Sequence, residues 1–245
     1  MPMRVAVCGR HLDDLYPLLE PHAPELTEDN PELVISYGGD GALLGAERQY
    51  PGIPKCPIRD RRSNPKCPRH SEEQILEKLF GGELAETGLT KVEAEKDGRT
   101  VVGLNDIVVS RRMIASALRY RIWLDDELYA HQIVGDGLVV ATPFGSTAYY
   151  RSITRSLFRW GLGLAFNNST EPIDHLVLHE SSTIAVEILR GPAVLLADND
   201  PEDIPLENGG VVTITKSRSS AVVLGLDVFR CPECYWLRHH EGSPG

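Results

Sequence analysis

"SYGGDGALL", residues 36 to 44, sets three glycines and one carboxylate between a run that reads as a buried strand and a run that reads as a helix. The preceding "PELVISY" is apolar and β-branched, and "ALLGAERQY" is compatible with a helix, so the order is strand, Gly-rich turn, helix. Glycines at 38, 39 and 41 permit positive φ and let a ligand approach the backbone without a Cβ in the way. Amides freed at the start of the helix can then point at phosphate oxygens. Asp40 is the odd member. A carboxylate beside a phosphate is repulsive unless it holds Mg²⁺ or takes a proton from an attacking hydroxyl, and both roles belong to phosphoryl transfer. The other reading is a tight turn in which Asp40 caps the next helix.

Outward from this corner, "RVAVCG" reads as a strand, "HLDDLYPLLE" as one short helix and "ELVISY" as a second strand, an order that implies a parallel sheet with helices on its faces. "SEEQILEKLFGG" predicts a helix with Ser71 as N-cap, Gln74 completing a capping box and Gly81 as terminator. From about residue 88 the pattern changes to short β-rich runs separated by Gly, Asp, Asn and Ser, as in a sandwich, with a hairpin about Asp125-Asp126. The expected organisation is an α/β N-terminal domain over 1–87 and an all-β sandwich over 88–225, with a cleft between domains as a favoured ligand site.

The 245 residues are 42% hydrophobic, enough to fill real cores. Apolar runs such as "GLVVAT" are far too short to span a bilayer, and the first residues lack a signal-peptide pattern, so a soluble cytoplasmic protein with no membrane partner is expected. A net charge of -10 argues against sequence-independent nucleic-acid binding. An anionic ligand therefore needs local devices: backbone amides, a metal ion or a basic cluster. Five cysteines are too few and too unevenly placed for a disulfide-built scaffold.

Two further stretches change the weight of the glycine corner. "GDGLVVATPFGSTAYY", residues 135 to 150, repeats Gly-Asp-Gly at Asp136 and runs through a strand into a turn dense in Thr, Gly and Ser. Upstream, Asn105 and Asp106 in "GLNDIVVSR" form an adjacent amide and carboxylate able to bond a ribose hydroxyl and a base edge.

On "GGDG" at 38 to 41, "LND" at 104 to 106 and "GDGLVVATPFGSTAY" at 135 to 149, the chain resembles the NAD kinases. The resemblance implies a two-domain architecture like that of NAD kinases and diacylglycerol kinases, with the C-terminal segment 226–245 returning to the N-terminal domain. It implies transfer of the γ-phosphoryl group of ATP to the adenosine 2′-hydroxyl of NAD, giving NADP, with Mg²⁺ on the ATP and a homodimeric or homotetrameric assembly. By the same resemblance Asp40 is the general base, and Gly39 and Gly41 lie against the pyrophosphate and the transferred phosphate. Asn105 and Asp106 hold the adenosine portion, Asp136 the nicotinamide amide, and Thr147, Ala148, Tyr149 and Ser152 the adenine side of the pocket.

The chain departs from the family pattern at Ala42, where Thr is usual, at Phe144, where a hydroxyl residue is common, after Tyr149, and in the loop 52–70 that follows the helix after GGDG. That loop is basic, with Arg59, Arg61, Arg62, Lys66 and Arg69 within eleven residues. Its guanidinium forks are suited to holding the ATP triphosphate, Arg59, Arg61 and Arg62 being the candidates; the other reading is a solvated loop. Cys231 and Cys234 have zinc-knuckle spacing, and Cys56 and Cys67 both occur as Lys-Cys-Pro, so a Zn²⁺ held by these four is one reading and ordinary thiols the other. His11, His22, His70, His131, His175 and His179 show no ligand spacing, and His239 and His240 lie near the Cys231–Cys234 pair. Two rival functions stay open: an NAD(P)-binding or sensor protein with weak catalysis, and a kinase for another hydroxyl that shares only the GGDG corner.

Overall fold

The computed structural model of the chain describes residues 2–62 and 70–240, the side chains of 237–240 excepted. The chain forms two compact units, Met1–Leu89 with Ala221–Gly245, and Thr90–Ser220.

The first unit opens with β1 (Arg4–Gly9), α1 (Tyr16–Leu19), β2 (Glu25–Leu26), β3 (Leu33–Tyr37), α2 (Asp40–Gln49), β4 (Lys55–Ile58) and α3 (Glu72–Phe80). Its strands are parallel in the order β2-β1-β3-β4. All five residues of β3 are buried. Leu33, Ile35 and Tyr37 meet Leu15, Leu19, Ile75, Leu76 and Leu79 on one face, while Val34 meets Ala6 and Ala46 on the other. Burial on both faces is why this strand shows no polar alternation.

Ser71 Oγ accepts the Gln74 amide at 3.3 Å, as the capping pattern predicts. The expected helix over "HLDDLYPLLE" is instead broken into a 3₁₀ turn (Leu12–Asp14), α1 and a second 3₁₀ turn (Glu20–His22). Pro17 and Pro21 each sit at the start of a new segment, where their missing N–H is harmless; neither can continue an α-helical hydrogen-bond ladder.

The chain continues through β5 (Glu86–Lys96), β6 (Arg99–Gly103), β7 (Asp106–Arg111), β8 (Leu118–Leu124), β9 (Glu127–Gly135), β10 (Gly137–Ala141), α4 (Tyr149–Thr154), β11 (Leu162–Asn167), β12 (His175–Leu178), β13 (Ile184–Arg190), β14 (Ala193–Ala197), β15 (Ile204–Leu206) and β16 (Val211–Leu224). In the second unit one antiparallel sheet has the order β12-β11-β10-β7-β14-β15; β16, β13, β8 and β9, with β5 and β6, form the facing layer. Ile107, Val109, Leu138 and Val140 from the first layer share a core with Tyr120, Ile122, Ile184, Val186 and Ile214 from the second, which makes this unit the expected sandwich. The intervening residues Val108, Val139 and Ala141 pack instead with Tyr150 of α4. The run "GLVVA" is continuous because both its faces are covered. Asp125 and Asp126 turn β8 into β9 with φ of 51° and 66°, the paired left-handed conformation of a two-residue hairpin.

The end of β16 belongs to the first unit, where Val223 pairs in parallel with Lys55 of β4. The segments α5 (Leu226–Phe229) and α6 (Pro232–His240) follow.

Candidate functional site

In the first unit, Gly38 leaves β3 at φ 144°, a conformation that L side chains rarely adopt, and its amide donates to the Ile58 carbonyl at 2.8 Å. Gly39 is then the N-cap of α2, and Asp40 is its first helical residue. The cap position thus falls to Gly39 and Asp40 stands in the first turn. Its carboxylate accepts from Arg59 Nη2 at 3.0 Å, and Arg230 Nη2 lies 3.7 Å from the other oxygen.

Arg59 is itself held by two contacts with Phe229. Its guanidinium lies 4.0 Å over the ring, and Nε donates to the carbonyl at 3.1 Å. Burial pulls the Arg230 guanidinium below its usual value, Asp40 opposes this, and Arg59 adds to it. Two guanidiniums around one carboxylate leave the corner with a formal net positive charge beside the positive end of α2, an environment that favours an anion. The Asp40 side chain remains 42% exposed, so a substrate can reach it.

Arg61 and Arg62 pair with other carboxylates. Arg61 pairs with Glu72 and Glu73, both at 3.1 Å, and Arg62 grips Asp14 through two bonds of 2.6 and 2.7 Å. Of the three arginines expected to hold the triphosphate, Arg59 faces Asp40; Lys66 and Arg69 lie outside the described residues.

The cysteines are also redistributed. Cys56 is wholly buried in the apolar core of β4, and burial pushes its thiol up to about 12. Cys231 and Cys234 lie together with His70, and among the described residues these three form the cluster able to hold a metal ion. Cys67 lies outside the described residues.

In the second unit the two sequence motifs are built against each other. The Asp198 carboxylate accepts three consecutive amides, from Leu104 and Asn105 at 2.7 Å and Asp106 at 3.1 Å, and fixes the turn before β7. Thr142 Oγ1 donates to the Leu104 carbonyl at 2.7 Å, and the Thr142 amide donates to the Asn105 carbonyl at 2.8 Å. Gly145 permits this contact, since a Cβ there would stand 2.0 Å from the Asn105 carbonyl oxygen.

Held this way, Asn105 is buried and its Oδ1 has no hydrogen-bond partner among the described residues, an acceptor whose burial is costly until a donor reaches it. Asp106 is also buried. That burial, with the charge of Asp198, raises its carboxyl from the ordinary 3.8 to about 7.

Asp136, between β9 and β10, is bonded to Arg111 Nε at 3.0 Å and accepts from Asn168 at 3.3 Å. Tyr149 begins α4, and its hydroxyl accepts from Asn167 at 2.9 Å. Burial raises the Tyr149 phenol, and the negative charges of Asp136 and Asp106 raise it further, so this side chain feels both carboxylates. Thr147 and Ser152 bond to nearby carbonyls, of Phe144 and Tyr149, and Ala148 joins the 3₁₀ turn of 145–147 to α4.

Sequence reasoning missed Arg230, Asp198, Arg111, Asn168 and His70. Arg230 follows a buried Phe and precedes Cys231, but nothing local ties it to Asp40. For Asp198, the one available signal is that the backbone of "LND" needs an acceptor from elsewhere.

Residues 104–226 match the family model described as the ATP-NAD kinase C-terminal domain. An NAD kinase of Clostridium botulinum (strain Eklund 17B / Type B) is 27% identical over 207 residues, covering 79% of this chain and 72% of that protein. One of Acidobacterium capsulatum is 34% identical over 143 residues, covering 51% and 47%. Among solved structures, an Archaeoglobus fulgidus NAD kinase in complex with ATP aligns with a TM-score of 0.76 at 23% identity, covering 93% of this chain and 96% of that one. Yeast NADH kinase complexed with NADH aligns with a TM-score of 0.78 at 16% identity, covering 91% and 83%. At these identities the two structures establish a shared fold. The family match goes further, because the matched stretch contains Asn105, Asp106, Asp136 and the 142–149 turn themselves. The chain belongs to the NAD kinase family.

Proposed function

We propose that the protein is an ATP-dependent NAD kinase, transferring the γ-phosphoryl group of ATP to the adenosine 2′-hydroxyl of NAD and releasing NADP and ADP. The observation that carries this reading is Asp40: one reachable carboxylate at the start of a helix, in a glycine turn, with Arg59 and Arg230 on its two oxygens. The relatives that support it are NAD kinases, and the aligned structures hold ATP in one case and NADH in the other.

In this account Asp40 takes the proton of the 2′-hydroxyl as its oxygen bonds to the γ-phosphorus, and the bond to the ADP oxygen breaks. Arg59 and Arg230 neutralise the corner so that an anionic phosphoryl group is not repelled, with the amides after Gly39 and Gly41 facing the phosphates. Asn105 Oδ1 accepts from the adenosine, and Asp106, as a carboxylate, accepts from a ribose hydroxyl. Asp136 takes the nicotinamide amide; Thr147, Ala148, Tyr149 and Ser152 line the adenine side.

Mg²⁺ supplies charge neutralisation of the triphosphate. In this reading it would be carried on the ATP. The protein is further proposed to act as a cytoplasmic homo-oligomer; among the described residues no helix is long and apolar enough to cross a membrane.

The test is incubation with NAD, ATP and Mg²⁺, with the product located by phosphorus NMR. A 2′-phosphomonoester on the adenosine ribose supports the reading. A second reading, dinucleotide binding without turnover, is favoured by one observation: Asp40 Oδ1 is already engaged by Arg59 at 3.0 Å, a contact that an incoming hydroxyl has to share or displace. It predicts NAD binding with no phosphomonoester formed.

A further inference from the structure

We propose that His70, Cys231 and Cys234 bind a zinc ion that fixes the arginine side of the Asp40 corner. The donor set is one imidazole and two thiolates, the ligand chemistry that Zn²⁺ selects. The three ligand atoms all lie within 4.8 Å of one another. Cys234 Sγ and His70 Nδ1 are 3.5 Å apart, against an edge of about 3.5 Å for a tetrahedron with Zn–S of about 2.3 Å and Zn–N of about 2.0 Å.

Both cysteines are buried, at 6% and 3% exposure, so the metal is screened from solvent. A cavity of about 10 Å³, bordered by His70, Cys234, Phe229 and Arg59, adjoins the ligands. A further group or a water completes the tetrahedron.

The placement gives the ion a task. Cys231 directly follows Arg230, which lies 3.7 Å from Asp40, and Phe229, whose ring supports Arg59. Cys234 lies in the first turn of α6, and His70 immediately precedes the Ser71 cap of α3. One ion therefore links two chain segments 164 residues apart in sequence and holds both guanidiniums against the carboxylate. The site rests on this geometry alone and stands whether or not the protein phosphorylates NAD.

The test is zinc content of the full chain, expressed and purified without added metal, then dialysed against Zn²⁺ and back into metal-free buffer. The expected result is about one zinc per chain, retained in Cys56→Ser and lost in Cys234→Ser and His70→Ala. Because the last two can fail to fold, the wild-type chain is also loaded with Co²⁺ in place of zinc. The expected spectrum has the intense visible bands of tetrahedral Co²⁺ and a thiolate charge-transfer band. Removal of zinc by a chelator lowers the melting temperature. Fewer than about half the chains carrying zinc after dialysis, or a Co²⁺ spectrum without the thiolate band, overturns the proposal.

Discussion

Arg59 donates to the carboxylate of Asp40 at 3.0 Å while its guanidinium rests on the ring of Phe229. The packing leaves it 12% exposed and restricts the fork, so it is pre-organised for whatever occupies the corner. Arg59→Gln removes the charge but leaves a side chain that can still hydrogen-bond. Steady-state kinetics are expected to show kcat/KM for ATP lower by about 10- to 100-fold, the scale of one hydrogen bond to a charged group. KM for NAD should change little. Arg59→Lys should recover only part, since it restores the charge and not the fork.

Asp106 sets a pH dependence whose sign follows from its raised value of about 7 against an ordinary 3.8. Between those values the folded chain keeps a proton that the unfolded chain has released. The stability this group contributes is therefore complete below the lower value and is lost as pH rises through the upper one. Urea unfolding of wild type and Asp106→Asn from pH 4 to 8 is expected to differ in slope by at most about 1.4 kcal/mol per pH unit, the variant being flatter. NAD affinity should move the other way. It should rise by about tenfold between pH 6 and 8 in wild type, as the carboxylate that accepts the ribose hydroxyl forms, and not in the variant.

Gly145 joins the two motifs of the second unit. A methyl group there would stand 2.0 Å from the Asn105 carbonyl oxygen, a backbone atom that cannot swing aside. Gly145→Ala is expected to cost about 1–3 kcal/mol in chemical denaturation and to weaken NAD binding by about 10-fold or more, because the Asn105–Asp106 turn must shift. Crystallography of the variant should show that displacement.

Lys55 is fully buried and bonded to Glu47 and to the Tyr50 carbonyl. Glu47→Ala leaves an ammonium in the interior without this carboxylate and is expected to destabilise the chain by about 3–5 kcal/mol. The double replacement Glu47→Leu with Lys55→Met should recover most of that loss. Denaturant midpoints of the single and double variants check both.

Local chemistry made much of this molecule readable from its sequence. The glycine corner, the Ser71 cap and the Asp125-Asp126 hairpin are set by backbone preferences within a few residues, and "GLVVA" announces a strand covered on both faces. The reading of "HLDDLYPLLE" as one helix gave its apolar spacing more weight than Pro17 and Pro21, which break it. The unread parts are contacts over long separations. Arg59 meets Phe229 across 170 residues, and Asp198 meets Leu104 across 94. Lys55, in "PKCPI", resembles any surface lysine until its partner Glu47 is placed.

The most direct test of the central claim is turnover of NAD by Asp40→Asn beside wild type, with NAD affinity measured on both proteins. The account predicts NADP formation by wild type, a loss of about 10³-fold in kcat in the variant, within the range for removing a general base, and NAD affinity unchanged within about threefold. A variant that keeps more than about one tenth of the wild-type kcat would contradict it.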